Sequence, residues 1–83
     1  MHSYIVIVHQ IENEKFRGRV PDFQEIEIFT PTACSCFLKL REQLIARIQE
    51  KLNNRESLPL ASKFSELREK NRDEKCLMMV ISC

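Results

Sequence analysis

The chain has 83 residues, of which 43% are hydrophobic and 30% charged, a composition that fits one globular domain over residues 1–83 and excludes a disordered chain. Thirteen Lys and Arg against 12 Asp and Glu give a formal net charge of +1, which excludes a strongly basic nucleic-acid module. The single Gly argues against a Gly-rich phosphate-binding loop, and no run of about 18 apolar residues is present to span a membrane.

Three strands are predicted in the first 30 residues, at 3–9, 15–20 and 25–29. Residues 4–8 are consecutive β-branched or aromatic side chains, which predicts a central strand covered on both faces. In the second strand apolar residues alternate with Arg17 and Arg19, so that one face is basic. In the third, Ile26 and Ile28 are expected to point inward and the glutamates between them to face solvent.

A long helix is predicted from residue 32 to 53. Thr32 can accept a hydrogen bond from the first free N–H groups, Pro31 suits a helix start, and Asn53-Asn54 is a typical stop. Apolar residues recur with the helical period at Cys36, Phe37, Leu40, Leu44, Ile48 and Leu52. We expect this stripe to pack on the sheet, with partners among Ile5, Ile7, Val20, Ile26 and Ile28.

Three more segments are predicted towards the C-terminus: an extended connector at 57–62, a short helix at 62–70 and a closing strand at 76–82. Pro59 biases Leu58 away from the helical region. Ser62 is expected to cap the short helix, and the residues up to Lys75 to form a mobile loop. The order β-β-β-α-β predicts an α+β fold in which one long helix packs on one face of an antiparallel sheet.

Four short sequence words, in this order, resemble the HicB-like antitoxin family. They are the aliphatic strand Tyr4–Val8, Val20-Pro21-Asp22, Thr32 ahead of the helix, and Leu58-Pro59-Leu60-Ala61-Ser62 after it. The resemblance covers nearly the whole chain and implies a HicB-like fold related to a truncated RNase H. Residues 21–26 depart from the family's Pro-Asp-Leu-Pro-Gly-Cys, and Cys34-Ser35 replaces the acidic pair that usually begins its helix.

The resemblance also implies a function. The chain would be a HicB-like antitoxin or an orphan relative, acting by protein–protein binding to mask a small HicA-like mRNA interferase toxin encoded nearby. Many family members carry a DNA-binding domain after the last strand. Because the sequence stops at Cys83, we do not expect the chain by itself to bind operator DNA specifically.

The four cysteines, Cys34, Cys36, Cys76 and Cys83, are expected to be unpaired thiols that hold no metal or other cofactor. The N-terminus lacks the basic region of a signal peptide, so we expect a cytoplasmic protein with reduced thiols. Cys34-x-Cys36 lacks the Cys-x-x-Cys spacing of a zinc knuckle, and Cys36 falls on the apolar stripe, where a thiol packs as a small hydrophobe.

No catalytic site is predicted, and the chain is not expected to be an enzyme. His2 and His9 are seven residues apart and therefore point to opposite faces of a regular strand. Asp22, Glu25 and Glu27 are the residue types that hold Mg²⁺ in a nuclease. The first strand supplies no carboxylate to join them, which favours a solvated face.

Two surfaces are candidates for binding. The candidate partner-binding residues are Arg17, Arg19, Asp22, Phe23 and Glu25. Phe23 is either an exposed aromatic anchor in a turn or a turn residue tucked over the core. The alternative for the same region is a small nucleic-acid-binding domain that uses the Arg17 and Arg19 face. The last strand is apolar and is expected to join copies into a homodimer or higher even oligomer through Leu77, Met78, Met79, Val80 and Ile81.

Overall fold

The computed structural model describes residues 2–70 and 76–82. The elements are β1 (Ser3–Glu12), β2 (Lys15–Val20), β3 (Phe23–Thr30), α1 (Ala33–Asn53), α2 (Phe64–Lys70) and β4 (Cys76–Ser82). They confirm the predicted α+β class and the element order. Neither of the two helices described is long and apolar enough to cross a membrane.

The four strands form one antiparallel sheet in the order β3-β2-β1-β4, so β1 and β2 are inner strands and β3 and β4 are the edges. β1 and β2 are joined by a two-residue turn in which Glu14 adopts a left-handed φ of 57°. The first strand runs three residues further than predicted and the third begins two residues earlier, because the hairpin pairing continues up to each turn.

β1 is covered on both faces, as predicted from its run of β-branched residues. Tyr4, Val6 and Val8 point to the face on which α1 packs, which we call the helix face. Ile5 and Ile7 point to the opposite or second face, where Leu67 of α2 covers them. Of the possible partners of α1, Val20, Ile26 and Ile28 lie on the helix face, whereas Ile5 and Ile7 do not, because alternate residues of one strand face opposite sides.

α1 begins and ends where the sequence signals predict. The Oγ1 atom of Thr32 accepts a hydrogen bond from the backbone N–H of Ser35 at 3.1 Å, and Asn54 caps the C-terminal end. Four stripe residues are buried, namely Cys36, Leu40, Leu44 and Ile48. Leu52 is half exposed, because a 21-residue helix of about 31 Å is longer than the roughly 20 Å of β2 that it crosses.

The second helix is present, but its predicted cap is wrong. α2 begins at Phe64, and the hydroxyl of Ser62 donates a hydrogen bond to Asp22 in the turn between β2 and β3. Leu67 is the buried residue of α2 and closes the second face over β1. The predicted mobile loop before β4 lies outside the described residues.

The only glycine allows α1 to approach β2 closely. A Cβ atom built on Gly18 would lie 2.5 Å from the Sγ of Cys36 and 2.7 Å from the Cδ1 of Leu40. Carbon and sulfur atoms in ordinary contact are about 3.5–4 Å apart, so any side chain at this position would push the helix off the sheet. The pair of Gly18 and Cys36 therefore sets the distance between helix and sheet.

We predict that Gly18→Ala lowers the free energy of unfolding by about 1–3 kcal/mol, the usual cost of overpacking a core. Urea denaturation measures the change. The matched control is Gly18→Ala in a Cys36→Ala background, where removal of Sγ makes room for the new methyl group. The added cost of Gly18→Ala is expected to be smaller there, and equal costs in the two backgrounds would contradict the close approach.

Candidate functional site

The second face of β2 and β3 carries a row of polar and aromatic side chains. The register places Arg19 opposite Glu27 and Arg17 opposite Phe29, and residues directly opposite each other point to the same face. Both arginines therefore lie on the far side of the sheet from α1, and this position agrees with the predicted basic face of the second strand. The structure adds Glu27 and Phe29 to that face.

Arg17 and Glu27 form an ion pair diagonally across the two strands. The Nη2 and Nε atoms of Arg17 lie 2.6 and 2.9 Å from Oε2 of Glu27, and both side chains are more than a third exposed. An ion pair this exposed contributes little to stability, about 0–1 kcal/mol. Its main effect is to fix the direction of the guanidinium and to balance the charge of Arg17 within the expected basic patch.

Phe29 is an exposed aromatic residue that is not among the binding residues predicted from the sequence. Its side chain is 52% exposed, and Nζ of Lys15 lies 6.0 Å from the ring centroid, at the outer limit for a cation–π contact. The alternation of β3 indicates this exposure. Phe29 lies an even number of residues from Glu25 and Glu27, so it points to the same solvent-facing side of the strand.

A cleft of about 420 Å³ opens beside this row, between the sheet and α2. The sheet contributes Arg17, Arg19 and Glu27 to its wall, while Ser62 and Leu67 line the opposite side. The lining combines charged, hydrogen-bonding and apolar groups, the mixture that holds a single inserted side chain or small ligand in a defined orientation. Two candidate partner-binding residues, Arg17 and Arg19, therefore lie in one concave site.

Phe23 is not part of this surface, and the prediction that it is an exposed anchor is wrong. It is 1% exposed and packs edge-on against the ring of Tyr4, with 5.0 Å between the ring centroids. The physical reason is that β3 begins at Phe23, where the strand pairs with Val20, so the side chain enters the core below α1.

Asp22 has a structural partner within the chain. Its two carboxylate oxygens accept hydrogen bonds from the backbone N–H of Ser62 at 3.0 Å and from the Ser62 hydroxyl at 2.6 Å. Next to this pair the hydroxyl of Tyr4 donates to the carbonyl of Pro59 at 2.6 Å. The two contacts, which we call the clasp, tie the connector before α2 to the sheet and occupy the carboxylate that was a candidate for partner binding.

Burial raises the pKa of the Tyr4 hydroxyl, and the nearby negative charge of Asp22 raises it further. The phenol therefore stays protonated and keeps donating to Pro59 over the physiological range. Glu25, the remaining candidate, is exposed on β3 and does not line the cleft.

The cysteines and carboxylates do not converge on a catalytic or metal site in residues 2–70 and 76–82, where no group of three His, Cys, Asp or Glu side chains is close enough to hold an ion. Cys36 is buried, as predicted. Burial raises the pKa of its thiol more than a hydrogen bond with Thr30 lowers it. Cys34 is exposed, and both are free thiols. The carboxylate of Asp22 is held by Ser62 and that of Glu27 by Arg17.

β4 carries the candidate oligomer residues at the opposite edge of the sheet. Leu77, Met79 and Val80 are about half exposed, Met78 is partly buried against Ile7, and Ile81 is buried on the helix face. Four of the five predicted residues therefore keep accessible apolar surface, and the fifth anchors the strand to the core.

Comparison with known proteins agrees on the fold. The structure superposes on the crystal structure of the N-terminal domain of the Burkholderia pseudomallei antitoxin HicB with a TM-score of 0.84, at 17% sequence identity. The match covers 99% of this chain and 98% of that one. No family model matches the sequence, and no curated protein matches it. The chain thus has the fold of a HicB N-terminal domain, the fold that its sequence words indicated.

We predict that the clasp stabilises the fold. Asp22→Ala removes two charge-assisted hydrogen bonds and is expected to lower the free energy of unfolding by about 1–3 kcal/mol. Ser62→Ala should cost less, because its backbone N–H remains. In a double-mutant cycle measured by urea denaturation the two effects should be clearly less than additive. Ser57→Ala, at an exposed serine of the same connector, is the control and should change stability by less than about 0.5 kcal/mol.

We predict that Tyr4 contributes to loss of stability in alkali. The unfolded phenol loses its proton near pH 10.0, whereas the folded one has a raised pKa and retains it. The contribution is therefore complete below pH 10 and is lost as the pH rises from there through the folded-state pKa. Denaturation curves at pH 8 to 11 should show a steeper decline for the native chain than for Tyr4→Phe. Parallel declines would contradict the assignment.

Proposed function

We propose that this chain is a HicB-like antitoxin, or an orphan relative of one, and acts by binding a small HicA-like mRNA interferase toxin in the cytoplasm and masking its catalytic surface. The observation that supports the proposal is the fold match to the N-terminal domain of an antitoxin over almost the whole length of both chains. The role is that of a binding protein and needs no catalytic residue of its own.

The surface best suited to the toxin is the second face of β2 and β3, with Phe29 as its anchor. Aromatic and Arg side chains dominate the binding energy of protein interfaces, and here Phe29 is exposed beside Arg17 and the cleft. The ion pair with Glu27 holds Arg17 in one orientation before binding, which reduces the entropy that association costs.

One charge at the border of this face suits a basic partner. Glu25 is exposed on the edge strand β3, where it would attract a positively charged toxin and raise its association rate more than its final affinity, whereas the charge of Glu27 is balanced by Arg17. Toxins that act on mRNA carry basic surfaces, which a carboxylate near an aromatic anchor complements.

The nucleic-acid alternative has less support. Arg17 is already bonded to a carboxylate, and a net charge of +1 gives little counterion release to drive binding to RNA or DNA. Phe29 has no second exposed aromatic opposite it on β2 to form a platform for stacking successive bases.

The test is co-expression with the product of a small basic reading frame beside the gene, read as rescue of growth and as co-purification. Phe29→Ala is expected to weaken the complex at least tenfold by calorimetric titration, the usual cost of truncating an aromatic anchor. Leu38→Ala is the matched control, since Leu38 is also more than half exposed but lies on α1, on the other side of the sheet. It should leave the affinity unchanged.

Two outcomes would contradict the proposal. One is failure of the chain to bind the neighbouring product together with sub-micromolar, sequence-dependent binding of RNA or DNA, which would favour the nucleic-acid alternative. The other is a complex that both variants weaken equally, which would move the partner surface away from Phe29.

A further inference from the structure

We propose that the cleft between the sheet and α2 binds the C-terminal carboxylate of a peptide whose last residue is aliphatic. This binding goes beyond the masking of a toxin and does not rest on the proposed antitoxin role, because a peptide can be tested on this chain alone. Three features support it, namely the charge of the cleft, a guanidinium with unused donors, and a break in the pairing of β3.

The charge of the cleft selects a singly charged anion. Among the described residues that line it, Arg17 and Arg19 are positively charged and Glu27 is negatively charged. The surplus is one positive charge, which a single carboxylate balances. A phosphate group carries between one and two negative charges at neutral pH and would be repelled more strongly by Glu27.

Arg17 is the group that holds the carboxylate. Its Nε and Nη2 atoms both donate to Oε2 of Glu27, at 2.9 and 2.6 Å. Its Nη1 atom has no partner within the part of the chain that the structure describes. Because the guanidinium is a rigid planar fork, the pair with Glu27 fixes its plane at the cleft wall and leaves the N–H groups of Nη1 to donate to a ligand.

The rest of the lining fits an aliphatic terminal residue. Pro21 and Leu67 line the cleft with apolar groups, and Gln24 and Ser62 line it with groups that form hydrogen bonds. The volume of about 420 Å³ lies at the small end of the range for ligand pockets, roughly 300–1000 Å³. A water molecule takes up about 30 Å³, so a single inorganic anion would leave most of the cleft unfilled.

A break in strand pairing provides the contacts that favour a peptide. Val20 pairs with Phe23, but the next pair along β2 is Arg19 with Glu27, so residues 24–26 of β3 have no register partner on β2. Such a bulge leaves backbone groups outside the ladder, and part of this one lines the cleft. A peptide can pair with these groups through its own N–H and C=O, as peptides do at sheet edges.

The experiment titrates the ¹⁵N-labelled full chain with the peptide acetyl-Ala-Ala-Leu and follows the backbone amide signals by NMR. We expect saturable shifts at Gln24, Ser62 and Leu67, which line the cleft. The same peptide with an amidated C-terminus should not bind, because it lacks the negative charge. N-acetyl-leucine should bind more weakly than the peptide, because it has fewer backbone groups, and sodium acetate should leave the cleft signals unshifted.

Two variants of the cleft should change the affinity in opposite directions. Arg17→Gln removes the donor and leaves the charge of Glu27 unbalanced, so the dissociation constant of the peptide should rise at least about tenfold. Glu27→Gln removes the competing carboxylate and should lower it about threefold. Arg41→Gln and Glu42→Gln are the matched controls, since they remove the same charges from exposed positions on α1, and should change it less than about twofold.

Several results would overturn the proposal. Equal binding of the amidated peptide would exclude recognition of the carboxylate, and cleft shifts from acetate alone would indicate a simple anion site. Equal affinity for N-acetyl-leucine would indicate a site for small acids in place of peptides. Tighter binding by Glu27→Gln is the readout that a purely structural role of the ion pair does not predict, so weaker binding by that variant would also contradict the assignment.

Discussion

Both faces of β1 are buried, and this requires an apolar cover on each side of the sheet. Five consecutive residues, Tyr4–Val8, lose their contact with water, and each large apolar side chain contributes about 1.5–3 kcal/mol when it does so. α1 supplies the cover on the helix face. On the second face the cover is the short helix α2, with Leu67 above Ile5 and Ile7.

A seven-residue helix is too short to be stable alone, so α2 has to be held in place by the chain that leads into it. The clasp does this from the sheet side. Asp22, in the turn between β2 and β3, holds Ser62, and Tyr4 of β1 holds Pro59. The two sequence words Val20-Pro21-Asp22 and Leu58–Ser62 are about 40 residues apart but form a single structural unit, which accounts for their occurrence together in one fold.

Periodicity was sufficient to predict the strands, the long helix and the order of the elements, because each pattern reflects one buried face. It also predicted the four buried helix residues Cys36, Leu40, Leu44 and Ile48, although Phe37 of the same stripe is only partly buried. It was insufficient at Asp22 and Phe23. The role of each depends on a partner distant in sequence, Ser62 for the carboxylate and Tyr4 for the ring, and local pattern contains no information about such a partner.

The close approach of α1 to β2 could not be predicted from the sequence either. Gly18 looks like a weak position in a strand, and only the packing of Cys36 and Leu40 above it explains why no side chain fits. Phe29 is the opposite case. Its exposure follows from the same alternation that predicts inward-pointing Ile26 and Ile28, so the sequence contains the signal for it.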